Sequence, residues 1–231
     1  MPRGFDLEAA SVHLARRDRA LGRWMKRIGP IKPEGWSQPF DTVDALSRAI
    51  LYQQLSGKAA ATIVARVEAA IGVTLLLPVT LAAVDDATLR ACGVSGNKVL
   101  ALRDLCRRAD AGEVPSARQM PRLSDAVLIE RLSAVRGIGR WTVEMLLIFR
   151  LGRPDVLPVD DLGVRKGAQV LDALAVAPTP KELHARGEVW GPWRTLAALY
   201  LWRIADGEGV VEPAKKIIRS QDASTSAKAR K

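Results

Sequence analysis

At 231 residues and 48% hydrophobic content, the chain is long enough for one large domain or two lobes with real cores. Its formal net charge of +10 suits a polyanionic partner, and half of it lies in residues 215–231, where six Lys and Arg face one acid, Asp222. Two scattered cysteines (Cys92, Cys106) and two histidines (His13, His184) exclude a clustered zinc or iron–sulfur site, and no signal-peptide core or membrane-length apolar run occurs. We therefore expect a cytoplasmic or nucleoid-associated protein with no membrane contact, in a reducing compartment.

Helical periodicity dominates and strand signals are scarce. Asp41 reads as an N-cap with Asp44 completing a capping box, followed by Leu46, Ile50 and Leu51 on one face. The run pauses at Gln53-Gln-Leu-Ser-Gly57 and resumes with Ile63, Val67 and Ile71, and Pro78 is expected to end that region. Asp85 to Cys92 makes a short helix, Gly93 to Gly96 a turn, and Val99, Leu102 and Leu105 mark a helix that stops before Gly112 and Pro115. Ser124 caps a helix with the face Leu128, Leu132 and Val135, which ends in the hairpin Arg136 to Arg140. Trp141 to Leu151 is the next helix, closed by Gly152 and Pro154. Pro158 and the pair Asp160-Asp161 then start one through Val164, Ala168 and Leu171. Thr179-Pro180 opens a helix toward Arg186, and Pro192 to Ile204 is the last. Residues 216–231 are polar, small and basic and are expected to be a disordered tail on a helical body spanning 1–215. The fold class is all-α.

The chemistry concentrates in Val135-Arg-Gly-Ile-Gly-Arg-Trp-Thr142 and Pro158-Val-Asp-Asp161. Without a Cβ, Gly137 and Gly139 let the backbone turn tightly and approach another molecule. The helix starting at Arg140 or Trp141 presents free N–H groups that suit phosphate oxygens, with Arg140 and Thr142 able to add a charge and a hydroxyl. A structural αα-corner would use the same glycines. An aspartate at a helix start is ordinarily a cap, but two in succession can divide the work, one capping and one facing a cleft.

The match is broader than two glycines. Leu132 to Leu146 resembles the helix-hairpin-helix motif of DNA repair proteins, and Pro158 to Gly167 resembles the loop and aspartate of the helix-hairpin-helix DNA glycosylase superfamily. Ile50-Leu-Tyr-Gln-Gln-Leu-Ser56 and Trp190-Gly-Pro-Trp-Arg194 to Trp202 extend the likeness over about Asp41 to Ile204, and the chain looks most like the single-domain 3-methyladenine type. The resemblance implies a two-lobed helical fold with an active-site cleft between the lobes. It implies a monomeric, monofunctional enzyme that removes alkylated purines, such as 3-methyladenine and 7-methylguanine, from double-stranded DNA. By the same resemblance Asp161 is catalytic; Trp141, Trp202, Met145 and Tyr52 form the base pocket; and Gln54, Leu55 and Ser56 form the wedge that fills the gap left by a flipped nucleotide. Arg136, Gly137, Gly139, Arg140 and Thr142 would hold the DNA backbone. Asp160, Trp190 and Trp193 are then structural.

No cofactor is required, although a structural cation could sit on the backbone carbonyls of Ser133, Val135 and Ile138. Met145 stands where some relatives carry an aromatic residue, which implies a more open pocket. Trp141 occupies the position that lyase relatives give to a Schiff-base lysine, which a tryptophan cannot replace. Two rivals remain: a non-catalytic DNA-binding protein in which both aspartates are caps, and a glycosylase for oxidised or mismatched bases.

Overall fold

The computed structural model describes residues 4–36 and 38–209; the expected tail at 216–231 lies outside the described residues. Among those described there is no strand, and no helix is long and apolar enough to cross a membrane. The chain opens with two helices absent from the expected array, α1 (Leu7–Arg17) and α2 (Arg19–Ile28). Asp18 closes the first and caps the second, its carboxylate accepting the N–H groups of Ala20 and Leu21 at 3.0 Å each. Each buries only two apolar side chains, Ala10 and Leu14 in α1 and Leu21 and Met25 in α2, and turns its charges outward.

Next come α3 (Thr42–Tyr52), α4 (Gly57–Ile71), α5 (Pro78–Ala82), α6 (Asp86–Ala91) and α7 (Gly96–Asp110). Asp41 does cap α3, but Asp44 does not complete a capping box; its carboxylate pairs with Arg48 at 3.0 Å and accepts the Leu76 N–H, tying the α4–α5 connection to α3. Pro78 starts a helix instead of ending the region, as suits a residue with fixed φ and no N–H at a first helical position. Contacts join α3 to α4 and to α7, and α5 and α6 to α7.

Capped by Ser124, α8 (Asp125–Ser133) leads through the hairpin into α9 (Arg140–Leu146). The helix then continues as a π-helical turn, Leu147–Leu151, before Gly152 stops it with φ 62°. Such wider turns recur at functional sites because the extra residue per turn re-aims the side chains that follow. Finally α10 (Leu162–Leu171), α11 (Pro180–Arg186) and α12 (Arg194–Ala205) pack with α1 and α2. Helix α12 is buried from Thr195 through Leu201, as expected of a helix apolar all round. The buried apolar side chains form one continuous cluster from Ala10 to Ile204.

Two features of this packing set the stage for the site. A Cβ on Gly167 would run into the backbone of Leu201, so α10 and α12 approach as closely as they do only because that side chain is missing. In addition, Thr195 Oγ1 donates to the Arg153 carbonyl at 2.6 Å and accepts the Val156 N–H at 3.0 Å, while Arg194 pairs with Asp155 at 2.7 and 2.8 Å. The loop between the π-turn and the aspartates is thereby fastened to α12.

Candidate active site

Of the aspartate pair, Asp161 is the N-cap of α10. Its Oδ1 accepts the Val164 N–H at 2.8 Å, capping α10, and the Trp202 indole N–H at 2.8 Å. Its Oδ2 accepts the Trp141 indole N–H at 2.7 Å. The carboxylate is thus gripped by one backbone and two indole donors, which use three of its roughly four acceptor positions. Gly163 permits this arrangement, because a Cβ there would lie 2.8 Å from Trp202 Cδ1 and 3.1 Å from Asp161 Oδ1. Among the described residues no lysine, arginine or histidine forms an ion pair with Asp161. Asp160 is exposed beside it. No group of three or more His, Cys, Asp or Glu among the described residues could hold a metal ion.

A second carboxylate lies close by. Glu144 is almost fully buried, one turn into α9, and pairs with the exposed Arg140 at 2.8 Å. Burial pushes its carboxyl up, Arg140 draws it down, and the charges of Asp160 and Asp161 raise it again. Arg140, expected on a DNA phosphate, is therefore already partnered within its own helix.

Trp141 also walls a cleft of about 620 Å³, together with Tyr52, Gln53, Gln54, Met145 and Phe149. Apolar side chains stand unusually open there: Tyr52 is 43% exposed, Trp141 48% and Phe149 41%. Phe149 escapes a reading of the sequence, since an aromatic in an apolar helical run looks like core. It is the π-turn that carries it, and its ring meets Trp202 at 5.6 Å between centroids. Phe149 lies one turn beyond Met145 and supplies aromatic surface in a cleft where Met145 does not. Trp202, expected beside Trp141, instead lines a neighbouring depression of about 650 Å³ that shares Phe149 and Arg150. The two tryptophans meet through Asp161.

The segment expected to form the wedge joins α3 to α4. Gln54 has φ 56°, a left-handed conformation that strains a non-glycine residue by about 1–3 kcal/mol and persists only where its surroundings enforce it. Leu55 does not pack into the core, and Ser56 caps α4 by accepting the Ala59 N–H at 3.3 Å. Gln53 was not anticipated: its Nε2 donates to the Gly137 carbonyl of the hairpin at 2.8 Å.

Within the hairpin, Gly137 has φ 76° and needs glycine for its backbone. Gly139 does not, with φ −92° and ψ 168° as the cap of α9, and a Cβ there would meet nothing within 4 Å. Arg136 is exposed, while its N–H is held by Asp104 at 2.9 Å. Thr142 is buried and lines the cleft instead of standing at the hairpin tip. The Val135 carbonyl accepts the Ile138 N–H at 3.1 Å, closing the turn. Trp190 and Trp193 sit in packing roles, Trp190 fully buried and Trp193 against Phe5 at 5.3 Å.

Comparison with known proteins places this arrangement. DNA-3-methyladenine glycosylase 1 of Schizosaccharomyces pombe is 38% identical over 213 residues, covering 90% of this chain and 93% of the relative. The solved structure of the Schizosaccharomyces pombe 3-methyladenine DNA glycosylase in complex with abasic DNA superposes with a TM-score of 0.77 at 36% identity, covering 88% of this chain and all (100%) of that one. A DNA-3-methyladenine glycosidase from Bacillus halodurans gives a TM-score of 0.79 at 34% identity, covering 87% and 91% of the two chains. The family model of the HhH-GPD superfamily base excision DNA repair protein matches residues 47–192, which span the wedge segment, the hairpin and the aspartates. The chain belongs to the HhH-GPD superfamily of base excision DNA repair proteins.

Proposed function

We propose that this protein is a monofunctional DNA glycosylase that hydrolyses the N-glycosidic bond of alkylated purines in duplex DNA. The observation that carries the reading is Asp161, a carboxylate fixed by two indole N–H groups and a helix start, with no ion pair to it among the described residues, and bonded to Trp141, which walls an aromatic cleft. A negative charge so placed stabilises the oxocarbenium-like sugar that forms as the C1′–N bond breaks. The bond pair leaves with the base. A purine alkylated at N3 or N7 already bears positive charge and departs neutral, so the site needs no strong general acid. Water then adds at C1′ and passes its proton to bulk water, and in this reading the Asp161 carboxylate orients it.

The base reaches the cleft only after flipping, which costs roughly a few kcal/mol and less at damaged pairs. Exposed Leu55, beside the strained Gln54, fits the wedge role better than Ser56, whose hydroxyl caps α4. Aromatic faces of Trp141, Tyr52 and Phe149 attract a cationic base by roughly 0.5–2 kcal/mol each. Gly139 supports backbone contact, since neither its φ nor its neighbours require glycine, and an approaching phosphate would. Trp141 lacks an amine, so the reaction ends at the abasic site without strand cleavage. The carbonyls of Ser133, Val135 and Ile138 offer oxygen donors of the kind that hard cations take, and no chemical step passes through that place.

The test is a panel of duplexes carrying 3-methyladenine, 7-methylguanine, hypoxanthine, ethenoadenine or 8-oxoguanine. Release of alkylpurines without nicking is expected. Release of 8-oxoguanine with nicking would place the protein among oxidised-base enzymes, and no release at all would leave a DNA-binding protein.

A further inference from the structure

Helix α7 carries none of the residues given a role above in chemistry or base binding, yet its side chains fasten both loops that face DNA. Lys98 Nζ donates to the carbonyls of Leu51 at 2.8 Å and Gln53 at 2.9 Å, at the C-terminal end of α3. A cation there meets the negative end of the helix as well as two unsatisfied carbonyls. Further along α7, Asp104 accepts the Arg136 N–H at 2.9 Å, at the entry to the hairpin. Between them Ala101 packs beneath Gly137, where an added Cβ would lie 3.4 Å from the Ala101 Cβ. The triangle closes from the other side through Gln53, whose amide reaches the Gly137 carbonyl at 2.8 Å.

Gln54, with φ 56°, thus lies between Gln53, tethered to α7 and to the hairpin, and Ser56, engaged as the cap of α4. A lysine serving only as a helix cap needs no such link to the hairpin. We propose that Lys98 is a positioning residue for base extrusion: by holding the Leu51 and Gln53 carbonyls it fixes Gln54-Leu55 against the hairpin, so that backbone grip and wedge insertion occur at one set separation. This rests on the glycosylase reading above.

The experiment uses the full chain and a duplex in which an abasic analogue faces 2-aminopurine, whose fluorescence rises when a wedge unstacks it. The unmodified protein brightens the probe. Lys98→Met and Gln53→Ala are expected to bind this duplex within about threefold of the unmodified protein, by anisotropy, and to give little brightening. Lys98→Met also lowers excision of 7-methylguanine paired with cytosine by at least about tenfold, as suits the loss of its charge-assisted hydrogen bonds to two carbonyls, while its excision opposite an abasic analogue, where no pair must open, changes by less than about threefold. Lys98→Arg restores the signal. Gln53→Ala removes no charge, so its loss of brightening is not one of attraction to DNA, and its brightening decides the matter if Lys98→Met fails to fold. Full brightening in both variants, or equal loss on both substrates in Lys98→Met, overturns the proposal. Brightening by the unmodified protein, lost in both variants, without alkylpurine release contradicts the glycosylase reading and supports the positioning role.

Discussion

Asp18 and Asp161 are built from the same parts and do opposite things. Each caps a helix through its carboxylate, and each accepts an indole N–H: Trp190 at 2.9 Å for Asp18, Trp141 and Trp202 for Asp161. The difference is a cation. Arg186 reaches both Asp18 and Asp172 and lies over the Trp190 ring, so the negative charge of Asp18 is spent inside the fold. Asp161 has the donors that orient a carboxylate and, among the described residues, no ion-pair partner, and it is half-buried against Trp141, which walls the cleft. Orientation with charge left over characterises a site; orientation with charge cancelled characterises a joint.

Asparagine substitutions sharpen that contrast, because asparagine caps helices nearly as well as aspartate and keeps the shape. Asp161→Asn removes the charge that the proposed reading sets against the sugar and is expected to lower base release by about two to three orders of magnitude, while the amide that then faces an indole N–H lowers the melting temperature by only a few degrees. Gly167→Ala should be the most damaging to the fold, by about 3 kcal/mol in chemical denaturation, since the new Cβ meets the Leu201 backbone and not a movable side chain. Asp18→Asn weakens the hydrogen bonds to Arg186 and should lower stability by about 2 kcal/mol, or roughly 4–8 °C in melting temperature, while base release at 25 °C stays within about threefold. An Asp18→Asn variant that melts normally and fails to release base would dissolve the distinction.

Gly163→Ala separates packing from geometry more finely. Its Cβ presses on Trp202 Cδ1 and Asp161 Oδ1, so base release is expected to fall by about tenfold with little change in melting. The smallest effect concerns acid. Burial pushes the Asp104 carboxyl up, but the Arg136 N–H and the Arg107 and Arg108 guanidiniums more than offset it and hold it at about 2. A carboxyl lowered on folding contributes stability above its ordinary value of 3.8, and that contribution is lost as pH falls through the folded value. The melting difference between the unmodified protein and Asp104→Asn should therefore be complete above pH 4 and shrink toward pH 2. Asp18, also held low although its burial acts against the charge, should behave in the same sense.

Much of this was legible in the chain because the signals are local. Capping by Asp41, Ser124 and Thr179, the stop at Gly152, and the hairpin itself are each written within a few residues. That the aspartate pair after Pro158 starts α10 was legible in the same way. What escaped depends on distant partners or on register. The Asp18–Trp190 contact joins residues 172 positions apart, and α2 hides Leu21 and Met25 among arginines. Phe149 looks like core until the π-turn adds a residue and re-aims it. Gln53 stood within a recognised segment, but nothing in a sequence says that its amide reaches Gly137. The spacing of Gly163 and Gly167 by one helical turn was a visible hint of close helix approach that the hairpin glycines overshadowed.

The central claim is that Asp161 supplies an uncompensated charge to the sugar. The most direct measurement is single-turnover release of 7-methylguanine from duplex DNA by Asp161→Asn, alongside its affinity for the same duplex. The expected result is a rate lower by at least about a hundredfold, with binding within about threefold of the unmodified protein. An unchanged rate would contradict the claim and leave Asp161 a helix cap like Asp18.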